Sequence, residues 1–183
     1  MVVLEAGSGI EMRPVAEDSL DELCKLVKGN FDHLHEWMPW AVNGYSTAHA
    51  RSFILKSVRD FAAQETMNFH IFEEGRLAGG AGLNFIDKAN RGTEIGYWLG
   101  REFTGRGIVT KCAKRLTDFA FDDLGMHRMN IRCARGNVKS RAIPERLGFT
   151  EEGTIRDAEW LHDRFVDLVV YGMLEPDWRT VSG

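Results

Sequence analysis

The sequence is poor in several features that mark whole classes of protein. Its three cysteines, Cys24, Cys112 and Cys133, are odd in number and widely spaced. This pattern excludes a disulfide framework and favours a reducing compartment. No apolar run approaches the roughly 18 residues that a membrane span needs, and the N-terminus lacks a signal-peptide pattern. We therefore predict a soluble, cytoplasmic protein with no membrane partner.

Excess basic charge is also missing. The chain has 23 Lys and Arg against 27 Asp and Glu, a formal net charge of −4. A nucleic-acid binder needs a clustered basic surface to neutralise phosphates, so nucleic acid is not expected as a partner. What is present is ordinary: 183 residues, 44% hydrophobic and 27% charged. These values predict one compact domain spanning residues 1–183.

Hydrophobic periodicity predicts a mixed α/β (α+β) fold with the order β-α-α-β-β-β-α-β-α-β-β. We expect a mixed, mostly antiparallel central sheet of about six to seven strands, flanked by helices. The first strand is predicted at 9–15, and the last two at 150–158 and 164–174. Ser19 and Glu22 have the spacing of a capping box at the start of the first helix.

The segment from Arg101 to Lys111 is the most informative part of the sequence. A predicted strand leads into a loop containing Gly105 and Gly107, and a helix begins there. Four cations lie in or near its first turns: Arg106, Lys111, Lys114 and Arg115. Cations at the positive end of a helix dipole cost about 0.3–1 kcal/mol each unless an anion binds there. The segment therefore predicts a phosphate cradle.

A solvated basic helix after an ordinary glycine turn is the alternative interpretation of this segment. Two nucleotide-binding motifs are excluded. The Rossmann motif needs a third glycine opening the helix, and the P-loop needs Gly-Lys-Ser/Thr after a four-residue gap. Neither pattern occurs here.

Three stretches occur in an informative order: Glu-Ile-Gly-Tyr-Trp-Leu at 94–99, Gly-Arg-Gly-Ile at 105–108, and a third from Asn137 to Gly153. Together they resemble the GNAT superfamily of N-acetyltransferases. Within it they are closest to the RimJ/RimL-like branch of ribosomal-protein N-terminal acetyltransferases. The superfamily motif Arg/Gln-x-x-Gly-x-Gly/Ala falls on Thr104, Gly107 and Val109, so its first and last positions depart from the pattern.

The resemblance implies a GNAT-like fold with acetyl-CoA as co-substrate. It implies that backbone N–H groups at the start of the third predicted helix hold the pyrophosphate. The pantetheine arm would pair with a splayed strand at Tyr97 to Leu99. The implied cofactor-binding residues are Trp98, Leu99, Gly105, Arg106, Gly107, Ile108, Val109, Thr110, Asn137 and Ser140.

Acetyl transfer to an amine needs a base for the amine, a donor for the developing oxyanion and an acid for the departing thiolate. The resemblance places a base at Glu159 and the Leu99 backbone N–H opposite the thioester oxygen. We assign the acid role to the Ser140 hydroxyl, which could donate to the leaving sulfur. Glu94 is a rival base. Glu159 can also be read as a surface carboxylate, and Ser140 as a helix cap.

Two other chemistries are disfavoured. Cys112 and Cys133 fall at core positions, where a cysteine is usually inert, so direct transfer in a ternary complex is favoured over covalent catalysis. His33 and His35 are two residues apart on a predicted helix, where their side chains point away from each other. No further ligand set is apparent, so no metal is predicted.

The acceptor side is predicted from aromatic residues. Trp37 and Trp40 lie around a proline, and with Trp160 they would form a platform that binds the acceptor, although core filling is the simpler interpretation. The acceptor is predicted to be a protein N-terminal α-amine. The alternatives are a small-molecule amine, giving antibiotic or toxin self-resistance, and a non-catalytic acyl-CoA-binding module.

Apolar residues on both faces of the last two strands, together with the resemblance, predict a homodimer.

Overall fold

The computed structural model describes residues 2–182, which form one eight-stranded sheet and six α-helices. The strands are β1 (Leu4–Gly7), β2 (Ile10–Pro14), β3 (Met67–Glu73), β4 (Arg76–Asp87), β5 (Gly92–Leu99), β6 (Arg128–Ala134), β7 (Thr150–Leu161) and β8 (Arg164–Leu174). The helices are α1 (Leu20–Gly29), α2 (Phe31–His35), α3 (Thr47–Ala63), α4 (Ile108–Asp122), α5 (Val138–Arg146) and α6 (Glu175–Ser182). None of the helices in residues 2–182 combines the length and apolar character needed to cross a membrane.

The strand order across the sheet is β1-β2-β3-β4-β5-β6-β8-β7. All neighbours are antiparallel except β5 and β6, which run parallel. The predicted mixed, mostly antiparallel sheet is therefore confirmed. The structure has one strand more than the seven in the predicted order, because the N-terminal segment is a hairpin of β1 and β2 and not one strand. The helix predicted to carry His33 and His35 is separated from α1 at Asn30 and forms the short helix α2, whereas α6 was not predicted.

Apolar side chains form two clusters. The larger one includes Cys112, Leu116 and Ala120, which recur at helical intervals along α4 and are fully buried. The smaller cluster contains Leu23 of α1 and Ile54 of α3. The helices therefore cover the sheet in two groups, α1 and α3 in one and α4 in the other.

The capping-box prediction at the first helix is wrong. The Ser19 hydroxyl caps no helical N–H; it donates to the Ala16 carbonyl at 2.6 Å and lies 2.9 Å from Nε2 of His70. Since the serine proton goes to the carbonyl, Nε2 of His70 is the donor to Ser19. Burial lowers the pKa of His70 to about 4, so this ring is neutral at physiological pH. A long-range contact thus replaces the local cap.

Candidate active site

The centre of the sheet opens where its two parallel strands separate. The pairing of β5 with β6 joins Gly92–Glu94 to Arg128–Asn130 and stops there. Beyond that point, β5 continues to pair with β4 in unbroken register as far as Leu99. The N–H of Gly100 donates to the Ala78 carbonyl of β4 at 2.8 Å. Because strand N–H groups alternate in direction, the Leu99 N–H points the other way, into the gap.

A second set of backbone N–H groups without a side-chain cap lies at the start of α4. Gly105 and Gly107 have φ values of 77° and 73°, in the left-handed region that favours glycine. Gly107 is the N-cap, and none of the side chains in residues 2–182 caps the helix. Thr104 instead donates its hydroxyl proton to the Arg101 carbonyl at 2.7 Å. The exposed loop and the N–H groups of Ile108 to Thr110 therefore fit an anionic group such as a diphosphate.

The basic side chains around this loop support the predicted phosphate cradle less strongly than the sequence suggested. Arg106 pairs with Glu73 at 2.7 Å, and Lys114 pairs with Asp118 at 3.2 Å. Lys111 donates to the Ser8 hydroxyl at 2.9 Å. Since two of the four cations already have carboxylate partners, the backbone amides are the stronger argument for the phosphate cradle.

A cleft of about 720 Å³ runs beside the separated strands. It gathers residues from distant parts of the sequence, and the predicted site residues among its lining are Trp37, Trp40, Trp98, Asn137, Ser140 and Glu159. Leu99 and residues 105–110 are not part of this lining. Trp160 also lies outside it; its side chain is 53% exposed and packs against Phe165, with ring centroids 4.8 Å apart. The structure therefore does not join Trp160 to the predicted platform.

Glu159 lies on β7 after a break in the register with β8. Its pKa is raised, chiefly by burial and also by the Glu94 carboxylate, while Arg132 acts in the opposite direction. Glu94 itself forms two hydrogen bonds with the Arg132 guanidinium, at 2.5 and 3.2 Å. Because its two oxygens are already bound by the guanidinium, Glu94 is the less available of the two carboxylates to accept a proton from an amine.

Arg132 is a site residue that the sequence analysis missed. It lines the cleft together with both glutamates. The available signal was its place in β6, where polar Asn130 and Arg132 alternate with buried Met129, Ile131 and Cys133. Such alternation shows that the arginine faces away from the core, but gives no partner for it.

Ser140 lies in the first turn of α5 and is not its cap. Asn137 is the N-cap, and its side-chain oxygen accepts the Ser140 N–H at 3.1 Å. The Ser140 hydroxyl is 3.2 Å from the Cys133 sulfur and 3.4 Å from the Tyr97 hydroxyl. The helix-cap interpretation of Ser140 is therefore wrong, and its hydroxyl remains in the cleft; its catalytic role stays a prediction.

The surroundings of the cysteines and of His35 suit packing and hydrogen bonding in the fold. Burial raises the pKa of the Cys112 thiol to about 12 and also raises that of Cys133, which disfavours a nucleophilic thiolate. The His35 ring stacks on His162 with centroids 3.7 Å apart, and its Nδ1 is 2.6 Å from the Ala41 carbonyl. Among residues 2–182 no group of three or more His, Cys, Asp or Glu could hold a metal.

The two tryptophans of the predicted platform differ in their packing. Trp37 is half-buried, and its ring lies against Gly136, where an added Cβ would be 3.2 Å from the ring. Trp40 is 40% exposed and meets the Trp98 ring edge-on, with centroids 5.3 Å apart. Trp40 therefore has the free surface that a binding platform needs, whereas Trp37 mainly supports the loop before α5.

Comparison with known proteins identifies the family to which the chain belongs. The model of the acetyltransferase (GNAT) domain family matches residues 10–150 of the chain. The chain belongs to the GNAT acetyltransferase family. The resemblance drawn from the sequence is therefore confirmed, and so are the N-acetyltransferase activity and the use of acetyl-CoA that it implied. The amide cradle and the free edge of β5 are the features of this GNAT protein that fit that co-substrate.

Several relatives of this GNAT protein are similar over nearly its whole length. YdaF of Bacillus subtilis (strain 168), provisionally named a ribosomal N-acetyltransferase, is 35% identical over 98% of both chains. The ribosomal-protein-serine acetyltransferase of Escherichia coli (strain K12) is 28% identical over 93% of this chain and 96% of its own. A solved structure of RimL, a ribosomal alpha-N-protein acetyltransferase, in complex with coenzyme A has a TM-score of 0.90 at 25% identity, covering 94% of this chain and 98% of that one.

Proposed function

We propose that this protein acetylates the N-terminal α-amine of a protein, of the ribosomal-protein type, by direct transfer in a ternary complex. One observation carries the proposal: a single cleft brings Glu159 and Ser140 together beside the free edge of β5. The relatives that act on ribosomal proteins support this choice of acceptor. The chain would act as one domain spanning residues 1–183.

Each proposed role follows from the position of a group. The Glu159 carboxylate removes the proton of the attacking amine, directly or through a water, and its raised pKa brings its basicity closer to that of the amine. The Leu99 N–H, which faces the gap, donates to the thioester oxygen as negative charge develops there. The Ser140 hydroxyl donates a hydrogen bond to the departing sulfur. Acetyl-CoA supplies the activated acetyl group.

One relative supports the position of the sulfur. In the RimL complex, coenzyme A is joined to a cysteine of that protein by a disulfide. In this chain Cys133 is the cysteine that lines the cleft, 3.2 Å from the Ser140 hydroxyl. A coenzyme thiol near Cys133 would also lie near Ser140, as the proposed role of the serine requires.

The test is an acceptor panel with thiol release as the assay and a mass shift as confirmation. We expect release with peptides that carry ribosomal-protein N-termini, and acetylation at the α-amine only. Peptides with a blocked N-terminus but free lysines are the matched control. Thiol release with small-molecule amines alone would contradict the proposed acceptor. Binding of acetyl-CoA without release by any amine would indicate a non-catalytic module.

A small-molecule acceptor is the second candidate. The microcin C7 self immunity acetyltransferase MccE, in a structure with acetyl-CoA and AMP, is 32% identical with a TM-score of 0.87, covering 92% of this chain and 94% of that one. The exposed Trp40 ring in the cleft suits a flat ring as well as a peptide. An amine attached to a nucleotide therefore belongs in the same panel.

We further propose that the protein is a cytoplasmic homodimer. The β7–β8 hairpin supports the dimer, because it exposes three large apolar side chains, Ile155, Trp160 and Phe165. Sedimentation should give twice the monomer mass, and an Ile155→Glu, Phe165→Glu variant should sediment as a monomer. A wild-type protein that sediments as a monomer at high micromolar concentration would contradict the dimer.

A further inference from the structure

A proline in α5 leaves one carbonyl of the helix without its usual partner. In an α-helix the N–H of each residue donates to the carbonyl four residues earlier, so position 144 would serve the Ser140 carbonyl. Pro144 has no N–H to donate, although it lies inside the helix. The Tyr97 hydroxyl donates to this carbonyl instead, at 3.0 Å.

The same phenol also meets the Ser140 side chain. Because the Tyr97 proton is directed to the carbonyl, its oxygen presents lone pairs, and the Ser140 hydroxyl donates to that oxygen at 3.4 Å. The Cys133 sulfur lies 3.2 Å away on another side, and Asn137 holds the Ser140 N–H. Tyr97 on β5 thus binds both the backbone and the side chain of Ser140 across the gap between the strands.

We propose that Tyr97 is a positioning residue: its phenol holds Ser140 in place and accepts the hydroxyl hydrogen bond in the resting site, and the Ser140 O–H turns to the sulfur as the thiolate departs. Pro144 permits this contact by leaving the Ser140 carbonyl free. The inference rests on the role of Ser140 in the proposed function. Burial supports it, because it raises the pKa of Tyr97 well above 10 and keeps the phenol a hydrogen-bond donor at working pH.

A double-mutant cycle tests the proposal. We expect Tyr97→Phe to lower kcat about tenfold, equivalent to ~1.4 kcal/mol, with the KM for acetyl-CoA unchanged. Ser140→Ala should lower kcat at least as much. Because Tyr97 acts through Ser140, the double variant should be no slower than Ser140→Ala alone. The inference would be overturned if the losses in kcat of the two single variants multiplied in the double variant. A fully active Tyr97→Phe variant or a fully active Ser140→Ala variant would also overturn it.

Tyr171→Phe is the matched control for removal of a buried phenol. The Tyr171 hydroxyl is hydrogen-bonded to Arg141 at 2.9 Å and to Glu145 at 2.8 Å, and Tyr171 does not line the cleft. This variant should lose stability and keep the wild-type kcat. An equal fall in kcat for the two Tyr→Phe variants would show a general structural effect and overturn the positioning role.

Pro144→Ala tests the other half of the proposal. The alanine restores an N–H that competes with Tyr97 for the Ser140 carbonyl, and it removes a helix-breaking residue. We expect a higher Tm with a lower kcat, and no further effect on kcat in the Tyr97→Phe background. An unchanged kcat would overturn the role of Pro144. All variants are compared with whichever amine the wild-type enzyme accepts, so a wrong acceptor class does not affect this test.

Discussion

The two sides of the separated strands are built in different ways. The predicted phosphate cradle comes from one contiguous segment, 104–110, in which two glycines and an uncapped helix expose amide groups. The acceptor side is assembled from residues far apart in the chain, among them Trp40, Glu94 and Glu159. The first needs only local conformation, whereas the second exists only once the sheet has formed. Substitutions on the two sides should therefore separate co-substrate binding from chemistry.

The largest expected effect is on the acceptor side. Glu159→Gln removes the proposed base, so kcat should fall by about 10²–10⁴-fold while the affinity for acetyl-CoA stays the same. Steady-state kinetics and calorimetry measure the two quantities. Glu151→Gln makes the same change on the exposed part of β7 and should leave kcat unaltered. Full turnover by Glu159→Gln would refute the assignment of the base.

The corresponding change on the cradle side is Gly107→Ala. At a φ of 73° an alanine costs about 1–2 kcal/mol, and the helix start must move to relieve it. We expect the Kd for acetyl-CoA to rise about tenfold, ~1.4 kcal/mol, as measured by calorimetry.

Gly125→Ala provides the control, because Gly125 has a φ of 63° just beyond the other end of the same helix. It should lose similar stability and keep the wild-type Kd. If both variants bind acetyl-CoA equally well, the cradle does not lie at the start of α4.

A smaller effect distinguishes the two tryptophans. Trp40→Ala should raise the acceptor KM by up to tenfold, ~1.4 kcal/mol, if its exposed ring stacks on the acceptor as we propose. Trp37→Ala should chiefly lower Tm, because that ring packs against Gly136. Kinetics and thermal unfolding of both variants give the comparison. An unchanged KM for Trp40→Ala would assign this residue to packing alone.

The smallest effects are shifts in pH dependence. The proposed base, Glu159, would work deprotonated, so we expect the rate to rise as pH passes through its pKa. Arg132 lowers that pKa and Glu94 raises it. Arg132→Gln should therefore move the acidic limb of kcat/KM to higher pH, and Glu94→Gln should move it to lower pH. Shifts in the same direction, or none, would show that another group titrates in this limb.

Much of the fold was predictable because it follows from local patterns. The loop containing Gly105 and Gly107 predicted that a helix begins there, and α4 begins at Ile108, directly after Gly107 with its positive φ. Where prediction failed, a distant residue changed the local preference. Ser19 bonds to Ala16 and contacts His70, which is 51 residues away in sequence, so its local capping pattern had no effect.

By itself, the sequence determined the glycine turn at 105–107, the helix after it and the alternation along the strands, because these depend on backbone preference and short-range periodicity. Only the tertiary structure decided that Arg132 neutralises Glu94, that Trp160 lies outside the cleft, and that Tyr97 reaches Ser140. These outcomes depend on which strands pair and where β5 leaves β6. Such long-range pairing is set by packing of the whole sheet and leaves no local mark on the residues it brings together.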